Sequence, residues 1–70
     1  MARKKFDQAI EVFKLNVESY PQSANVYDSL GAAYMMNGDQ ELAIKNYEKS
    51  LSLNPANDGA AAALKKLRGN

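Results

Sequence analysis

The sequence predicts an all-α fold in which four helices form antiparallel helix–turn–helix hairpins. Apolar residues recur at steps of three and four in four successive segments, which is the pattern of helices with one buried face. Pro and Gly residues separate the segments and are typical turn signals. The chain also repeats itself after 34 residues, as an array of equivalent structural units does.

The internal repeat is visible when the chain is shifted by 34 residues against itself. Matched pairs are Ala9 with Ala43, Ile10 with Ile44, Phe13 with Tyr47, Pro21 with Pro55 and Leu30 with Leu64. The first and third helical segments are therefore equivalent, as are the second and fourth.

The first helix is expected from about residue 3 to residue 19. It ends at Tyr20-Pro21, because a residue before Pro is disfavoured in helical conformation. Val12 and Leu15 lie off its apolar stripe and widen the hydrophobic surface. The stripe itself consists of Phe6, Ala9, Ile10, Phe13 and Val17.

The second helix is expected over 24–37, with Ser23 as its N-cap. Gly31 lies inside it at a cost in helix propensity of about 1 kcal/mol relative to Ala. We interpret it as a site of close helix approach. Gly38 can adopt positive φ after the helix end, and Asp39 can cap the next helix. The inner face comprises Val26, Tyr27, Leu30, Ala33 and Tyr34.

The third helix is expected over about 40–53 and ends at Asn54-Pro55. Asn57 or Asp58 caps a fourth helix over roughly 58–68, and Gly69 is a natural terminator. The third helix presents Leu42, Ala43, Ile44, Tyr47 and Leu51 as its stripe, and the fourth is built on 60–64 and Leu67.

Residues 24–57 resemble a tetratricopeptide repeat, a two-helix unit of 34 residues. The resemblance rests on Tyr27, Leu30, Gly31, Tyr34, Ala43, Tyr47 and Pro55. It implies a solenoid fragment: 1–22 as the second helix of a preceding repeat, 24–57 as one full repeat, and 58–70 as a capping helix. The opening Met1-Ala2 followed by mid-unit sequence is typical of a cut edge, and the charged last helix is typical of a native C-terminal cap.

Composition argues against several classes of function. The net charge of +1 disfavours a dedicated nucleic-acid binder, although Arg3–Lys5 and 65–68 form small basic clusters that we interpret as solvated faces. Without His or Cys the usual zinc ligands are lacking, and serines have no His partner for nucleophilic catalysis. No apolar run approaches the ~20 residues of a membrane span. We therefore expect a soluble, non-enzymatic protein without catalytic, metal or cofactor-binding residues, in a compartment that the sequence does not specify.

The resemblance implies that partners bind the concave surface lined by the first helix of each repeat. One subfamily grips a C-terminal carboxylate there with Lys, Arg and Asn, which this chain lacks, so binding of chaperone tails is disfavoured. Met35 and Met36 could form an adaptable hydrophobic contact, or one of them could simply pack inward. The candidate concave positions are Asn25, Asp28, Ser29, Ala32, Met35 and Met36.

The first helix lacks the helix that precedes it in a complete repeat, so part of its apolar surface has no partner within the chain. We expect a homodimer or higher assembly, with helices exchanged between chains as one form of it. The alternatives are an excised or engineered repeat fragment, or the accessory tail of a larger bacterial enzyme. The self-association candidates are Phe6, Ile10, Val12, Phe13 and Leu15.

Overall fold

The computed structural model describes the backbone of residues 4–69 and the side chains of residues 6–69. The predicted Arg3–Lys5 basic cluster and the Met1-Ala2 edge lie outside the described side chains. The four predicted helices are confirmed, with bounds within one residue of those expected: α1 (Lys4–Ser19), α2 (Ala24–Asn37), α3 (Gln40–Leu53) and α4 (Asp58–Leu67).

The central element of the fold is the hairpin of α2 and α3, the most extensively packed pair of helices. A Cβ atom added to Gly31 would lie 3.1 Å from Cδ2 of the Tyr47 ring, closer than most real Cβ contacts. The missing side chain therefore lets the aromatic ring of α3 lie directly on the backbone of α2. The prediction that Gly31 marks a close approach of the paired helix is confirmed.

The hydrophobic core follows the hairpin and extends to both outer helices. α1 packs on α2, and α4 packs on α3, so the four helices form a thin slab of 35 × 32 × 15 Å. Half-buried residues such as Phe13, Val17 and Leu67 line the core edges. The buried hydrophobic residues are Ile10, Leu30, Ala33, Tyr34, Ala43, Tyr47, Ala60 and Leu64.

Two of the predicted helix caps are wrong in their chemistry, although the helix bounds are right. Ser23 and Asp39 occupy N-cap positions, but neither side chain accepts a capping hydrogen bond. The Asp39 carboxylate instead accepts a hydrogen bond of 2.7 Å from Nδ2 of Asn37. The cap of α4 is Asn57, whose Oδ1 accepts from the backbone N–H of Ala60, and Gly38 adopts the expected left-handed conformation with φ of 88°.

The prediction that Leu42 belongs to the buried apolar stripe of α3 is wrong, because its side chain is 42% exposed. It lies in the first turn of α3, one residue before the fully buried Ala43. Successive residues of a helix point about 100° apart, so Leu42 lies on a different side of α3 from Ala43. By contrast Tyr34 and Tyr47 are buried and Tyr20 is exposed, as expected. The position of Tyr20 follows from its place in the turn between α1 and α2.

Candidate protein-binding surfaces

One face of α1 is incompletely covered, and the internal repeat shows which face it is. In α3 the residues that face α2 are buried almost completely: Ala43 (0% exposed), Tyr47 (3%) and Ser50 (0%). The equivalent residues of α1 are only half-buried: Ala9, Phe13 and Asn16. Because α1 packs mainly on α2, no described helix covers its side that corresponds to the hairpin face of α3.

The self-association candidates on α1 divide between the core and the surface. Ile10 is 5% exposed and belongs to the core, so its predicted exposure is wrong: it packs towards α2. Phe13 packs against the core and is half-buried, and Phe6 at the helix start is half-buried as well. Val12 and Leu15, which are 55% and 61% exposed, carry the hydrophobic surface that remains accessible. We call the surface of Ala9, Val12, Phe13, Leu15 and Asn16 the α1 face.

The concave candidates all lie on α2, where they differ in accessibility. Asn25 and Ser29 are exposed, whereas Ala32 packs against the core. Asp28 is half-buried, and its carboxylate accepts a hydrogen bond of 3.1 Å from Nδ2 of Asn57. The structure therefore offers a short polar strip at the start of α2, one of whose members is already engaged.

Met35 and Met36 end α2 with 36% and 64% of their surfaces exposed. Neither side chain is buried, although Met35 is more covered than Met36, so neither of them belongs to the hydrophobic core. Together with Leu42, which is close in sequence at the start of α3, they add accessible apolar surface near the α2–α3 turn. Flexible Met side chains suit contacts with irregular partners.

A polar network that sequence reasoning missed joins three of the helices. Ser50 is fully buried, and its Oγ donates a hydrogen bond of 2.9 Å to the backbone carbonyl of Ala24. The same Oγ accepts a 2.9 Å hydrogen bond from Nδ2 of Asn57, which also donates to Asp28. The network thereby links α2, α3 and the N-cap of α4. The available signal was that the repeat aligns Ser50 with Asn16, placing a small polar residue at the same position of each unit.

Tyr47 lies beside this network at the centre of the hairpin. Burial raises the pKa of its hydroxyl above the ordinary value of 10.0, and the negative charge of Asp28 raises it further. Both causes favour the neutral phenol. Tyr27 is more accessible: its hydroxyl donates to the backbone carbonyl of Pro21 at 2.9 Å, and Nζ of Lys49 lies 5.8 Å from its ring centroid.

Among the described residues no cluster of His, Cys, Asp or Glu could hold a metal ion. No helix within residues 4–69 is long and apolar enough to cross a bilayer. The accessible features are therefore surfaces: the α1 face, the strip on α2 and the exposed methionines. Stacked helical hairpins with such surfaces define a class of proteins, the helical repeat proteins that present helix faces to partners.

The comparison with known families identifies the member of this class. Residues 24–57 match the family model of the tetratricopeptide repeat. The matched segment contains the α2–α3 hairpin and the contact between Gly31 and Tyr47. Residues 24–57 therefore form a tetratricopeptide-repeat unit, and the fold expected from the resemblance is confirmed.

A curated relative is similar to the chain over most of its length. It is a protein described as "Hsp70-Hsp90 organizing protein" from Triticum aestivum, and it is 38% identical over 60 residues, or 86% of this chain. The chain spans only about a tenth (10%) of the length of that relative. The similarity therefore concerns a small part of a much longer protein.

Proposed function

We propose that this protein is a non-enzymatic scaffold for protein–protein interaction and that it self-associates through the α1 face. Tetratricopeptide repeats generally mediate protein–protein interaction, which supports the general part of the proposal. The observation that carries the specific part is the difference between α3 and α1. Equivalent positions are buried in α3 and half-exposed in α1, and Val12 and Leu15 add exposed apolar surface beside them.

The size of the exposed surface sets the strength of association that we expect. Complete burial of a Val or Leu side chain is worth about 1.5–3 kcal/mol, and Val12 and Leu15 retain roughly half of that. Two copies would together gain on the order of 3–6 kcal/mol from these residues, with further gains from Phe13 and Ala9. Since association costs at least about 4 kcal/mol, the net gain including Phe13 and Ala9 is at most about 4 kcal/mol, and we expect a weak dimer with a Kd near 1 mM.

The similarity to a chaperone-organizing protein does not extend the proposal to chaperone tails. The exposed positions at the start of α2 are Asn25 and Ser29, and the charged group between them is the carboxylate of Asp28. An Asp repels a terminal carboxylate, whereas a carboxylate clamp needs cationic donors. We therefore propose that this surface binds protein segments of another kind or none.

Solution mass measured by light scattering across a concentration series tests the proposal. We expect the mass to rise from that of the 7.7 kDa chain towards twice that value between about 0.1 and 5 mM, a range that spans the expected Kd. Leu15→Lys should keep the protein monomeric over the same range, because it places a charge in the apolar surface. Leu15 is a better choice than Phe13, which packs against the core and whose replacement would also weaken the fold.

Met36→Lys is the matched control, since Met36 has a similar exposure of 64% but ends α2 rather than lying on α1. This variant should dimerise like the parent chain. A parent protein that stays monomeric up to about 5 mM, with a cooperative thermal transition, would contradict self-association. Equal loss of the dimer in both Lys variants would place the interface elsewhere.

The second candidate function is that of an accessory unit in a longer protein, which is favoured by the match to only 10% of the curated relative. In that case a preceding helix, rather than a second copy, would cover the α1 face. A synthetic amphipathic helix corresponding to α2 (24–37) offers a simple probe. The repeat aligns Ala9 with Ala43, which is fully buried in the hairpin, and Leu15 with the exposed Lys49. If the peptide binds the monomeric parent chain and Ala9→Lys abolishes the binding while Leu15→Lys does not, the accessory role is favoured over the homodimer.

A further inference from the structure

We propose that Asn37 is a site of spontaneous deamidation, in which water converts its side-chain amide to a carboxylate, and that the folded end of α2 protects it. Asn37 is the last residue of α2 and is followed by Gly38 in the turn to α3. The modification site therefore lies in the connection of the central hairpin. This inference does not depend on self-association.

The reaction begins with attack of the backbone nitrogen of Gly38 on Cγ of Asn37. The nitrogen loses its proton, a new C–N bond forms, and the side-chain nitrogen leaves as ammonia, which closes a five-membered cyclic imide. Water then opens the imide at one of its two carbonyl groups and gives either Asp or isoaspartate. One water is consumed and one ammonia is released, so the reaction needs no oxidant, reductant or enzyme.

The residue that follows each Asn determines how readily this ring closes. Gly38 has no side chain to hinder attack by its nitrogen. Val and Tyr crowd the attacking nitrogen with bulky side chains, and Pro has no N–H to deprotonate. The other asparagines that have a following residue are Asn16 and Asn25 before Val, Asn46 before Tyr, Asn54 before Pro and Asn57 before Asp. The sequence therefore favours reaction at Asn37.

The folded structure holds both reacting groups in place. The N–H of Gly38 donates to the carbonyl of Met35 at 3.1 Å, and the N–H of Asp39 donates to the carbonyl of Tyr34 at 2.9 Å. Asn37 is only 8% exposed, and its Nδ2 donates to Asp39 at 2.7 Å. Ring closure requires ψ of Asn37 to leave its helical value of about −42°, which breaks these bonds. Deamidation therefore proceeds from an opened helix end, at a rate set by how often that end opens.

Deamidation should destabilise the turn in which it occurs. In the Asp product a carboxylate oxygen replaces Nδ2, which lies 2.7 Å from the carboxylate of Asp39. Two ionised carboxylates repel each other, and residue 37 is too buried for water to compensate. The isoaspartate product adds a methylene to the main chain and so displaces the N–H of Gly38 from the carbonyl of Met35. Either product makes opening more frequent, so the reaction loosens the hairpin in one direction only.

Incubation of the 70-residue chain in mildly alkaline buffer, with and without guanidinium chloride, tests the site and its protection. Peptide mapping by mass spectrometry gives the deamidation rate of each Asn. Asn25 is the matched control, since it is exposed at the start of the same helix and precedes Val. In the denatured chain Asn37 should react at least about tenfold faster than Asn25, and folding should slow the reaction of Asn37 by at least about tenfold.

The consequence for stability is tested with Asn37→Asp, which reproduces one product. Its Tm should fall by at least about 5 °C, because a hydrogen bond to a charged group is replaced by repulsion. Asn37→Ala removes the amide without adding a charge, so its Tm should fall less. Asn25→Asp should stay within about 2 °C of the parent chain, since it is exposed and its charge suits the helix dipole. All samples are kept well below the expected Kd, so that association does not contribute.

Each part of the inference has a result that overturns it. Reaction of Asn25 or Asn46 as fast as Asn37 in the denatured chain overturns the choice of site. Equal rates at Asn37 in the folded and denatured chains overturn the protection, and a Tm of Asn37→Asp at or above that of Asn37→Ala overturns the loosening. If Asn37→Asp does not fold, the deamidated fraction of the parent chain is separated by anion exchange, and it should melt below the unreacted fraction.

Discussion

Replacement of Ser50 by Ala tests the buried polar network most directly. Ser50 has no exposed surface, and its hydroxyl both donates to the carbonyl of Ala24 and accepts from Asn57, each at 2.9 Å. The substitution removes two hydrogen bonds and leaves the helix backbone unchanged. It therefore isolates the contribution of the hydroxyl to the stability of the hairpin.

The expected loss can be estimated from the partners. Each intramolecular hydrogen bond contributes a net of about 1 kcal/mol, so the two together are worth about 2 kcal/mol. Asn57 retains Asp28 as an acceptor, which limits the penalty for its amide group. Ala is a better helix former than Ser by about 0.5 kcal/mol, so the net destabilisation is about 1.5 kcal/mol. For a chain of this size that corresponds to a fall in Tm of roughly 6–12 °C.

Ser52→Ala is the matched control, because Ser52 lies on the same helix but is exposed. It should gain about 0.5 kcal/mol of stability from helix propensity alone. The assay is urea unfolding followed by circular dichroism at one fixed protein concentration, since association couples to stability. If Ser50→Ala is as stable as Ser52→Ala, the network does not stabilise the fold and the reasoning from burial is refuted.

Three further outcomes are expected. Gly59→Ala should stabilise the protein by roughly 0.5–1 kcal/mol through higher helix propensity, because the added Cβ would meet only Oδ1 of Asn57 at an ordinary 3.5 Å. Gly31→Ala should not gain this stability in the same unfolding assay, because the Tyr47 ring would have to move. Stability should decline as pH rises above 10.0, because the Tyr47 phenol ionises there in the unfolded chain but stays neutral in the folded one, where its pKa is raised. Measured by unfolding at pH 9 and pH 11, this decline in stability should be smaller for Tyr47→Phe. Arg68→Ala should cost less than about 1 kcal/mol, and the difference should shrink in 1 M salt, since the ion pair with Glu48 is half exposed.

Much of the fold could be predicted because its determinants are local or repeated. The helix bounds follow from apolar periodicity and from the turns at Tyr20-Pro21, Gly38 and Asn54-Pro55. The close contact at Gly31 could be predicted because Gly is unfavourable inside a helix, so its presence there indicates that a neighbouring helix packs closely. These features depend on residue type and spacing, which the sequence displays directly.

Other features depend on competition between possible partners. Ser23 and Asp39 occupy cap positions, but whether a side chain caps depends on its alternatives, and Asp39 accepts from Asn37 instead. Leu42 has an apolar side chain, but the side of α3 that packs in the core carries Ala43 and Tyr47, and Leu42 lies outside it.

The candidate surfaces were predictable in part. The repeat indicated that α1 lacks a partner helix, and Val12 and Leu15 are accessible as expected. It did not distinguish Ile10, which packs into the core, from Val12, because residues two apart in a helix lie on nearly opposite sides and the repeat does not show which side α2 covers. Asp28 was predicted as a concave residue, but its engagement by Asn57 requires the approach of α4, which lies 29 residues further along the chain.

The polar network also makes the free energy of local opening unequal along the chain. Hydrogen bonds of Ser50 and Asn57 join α2, α3 and the start of α4, and this network does not include α1. Transient local opening should therefore release α1 first, so that its amide protons exchange with deuterated solvent as a group before those of the hairpin. Each such opening exposes the side of α2 that α1 normally covers. Under the proposed self-association, each opening would also allow α1 to pack on another copy of the chain.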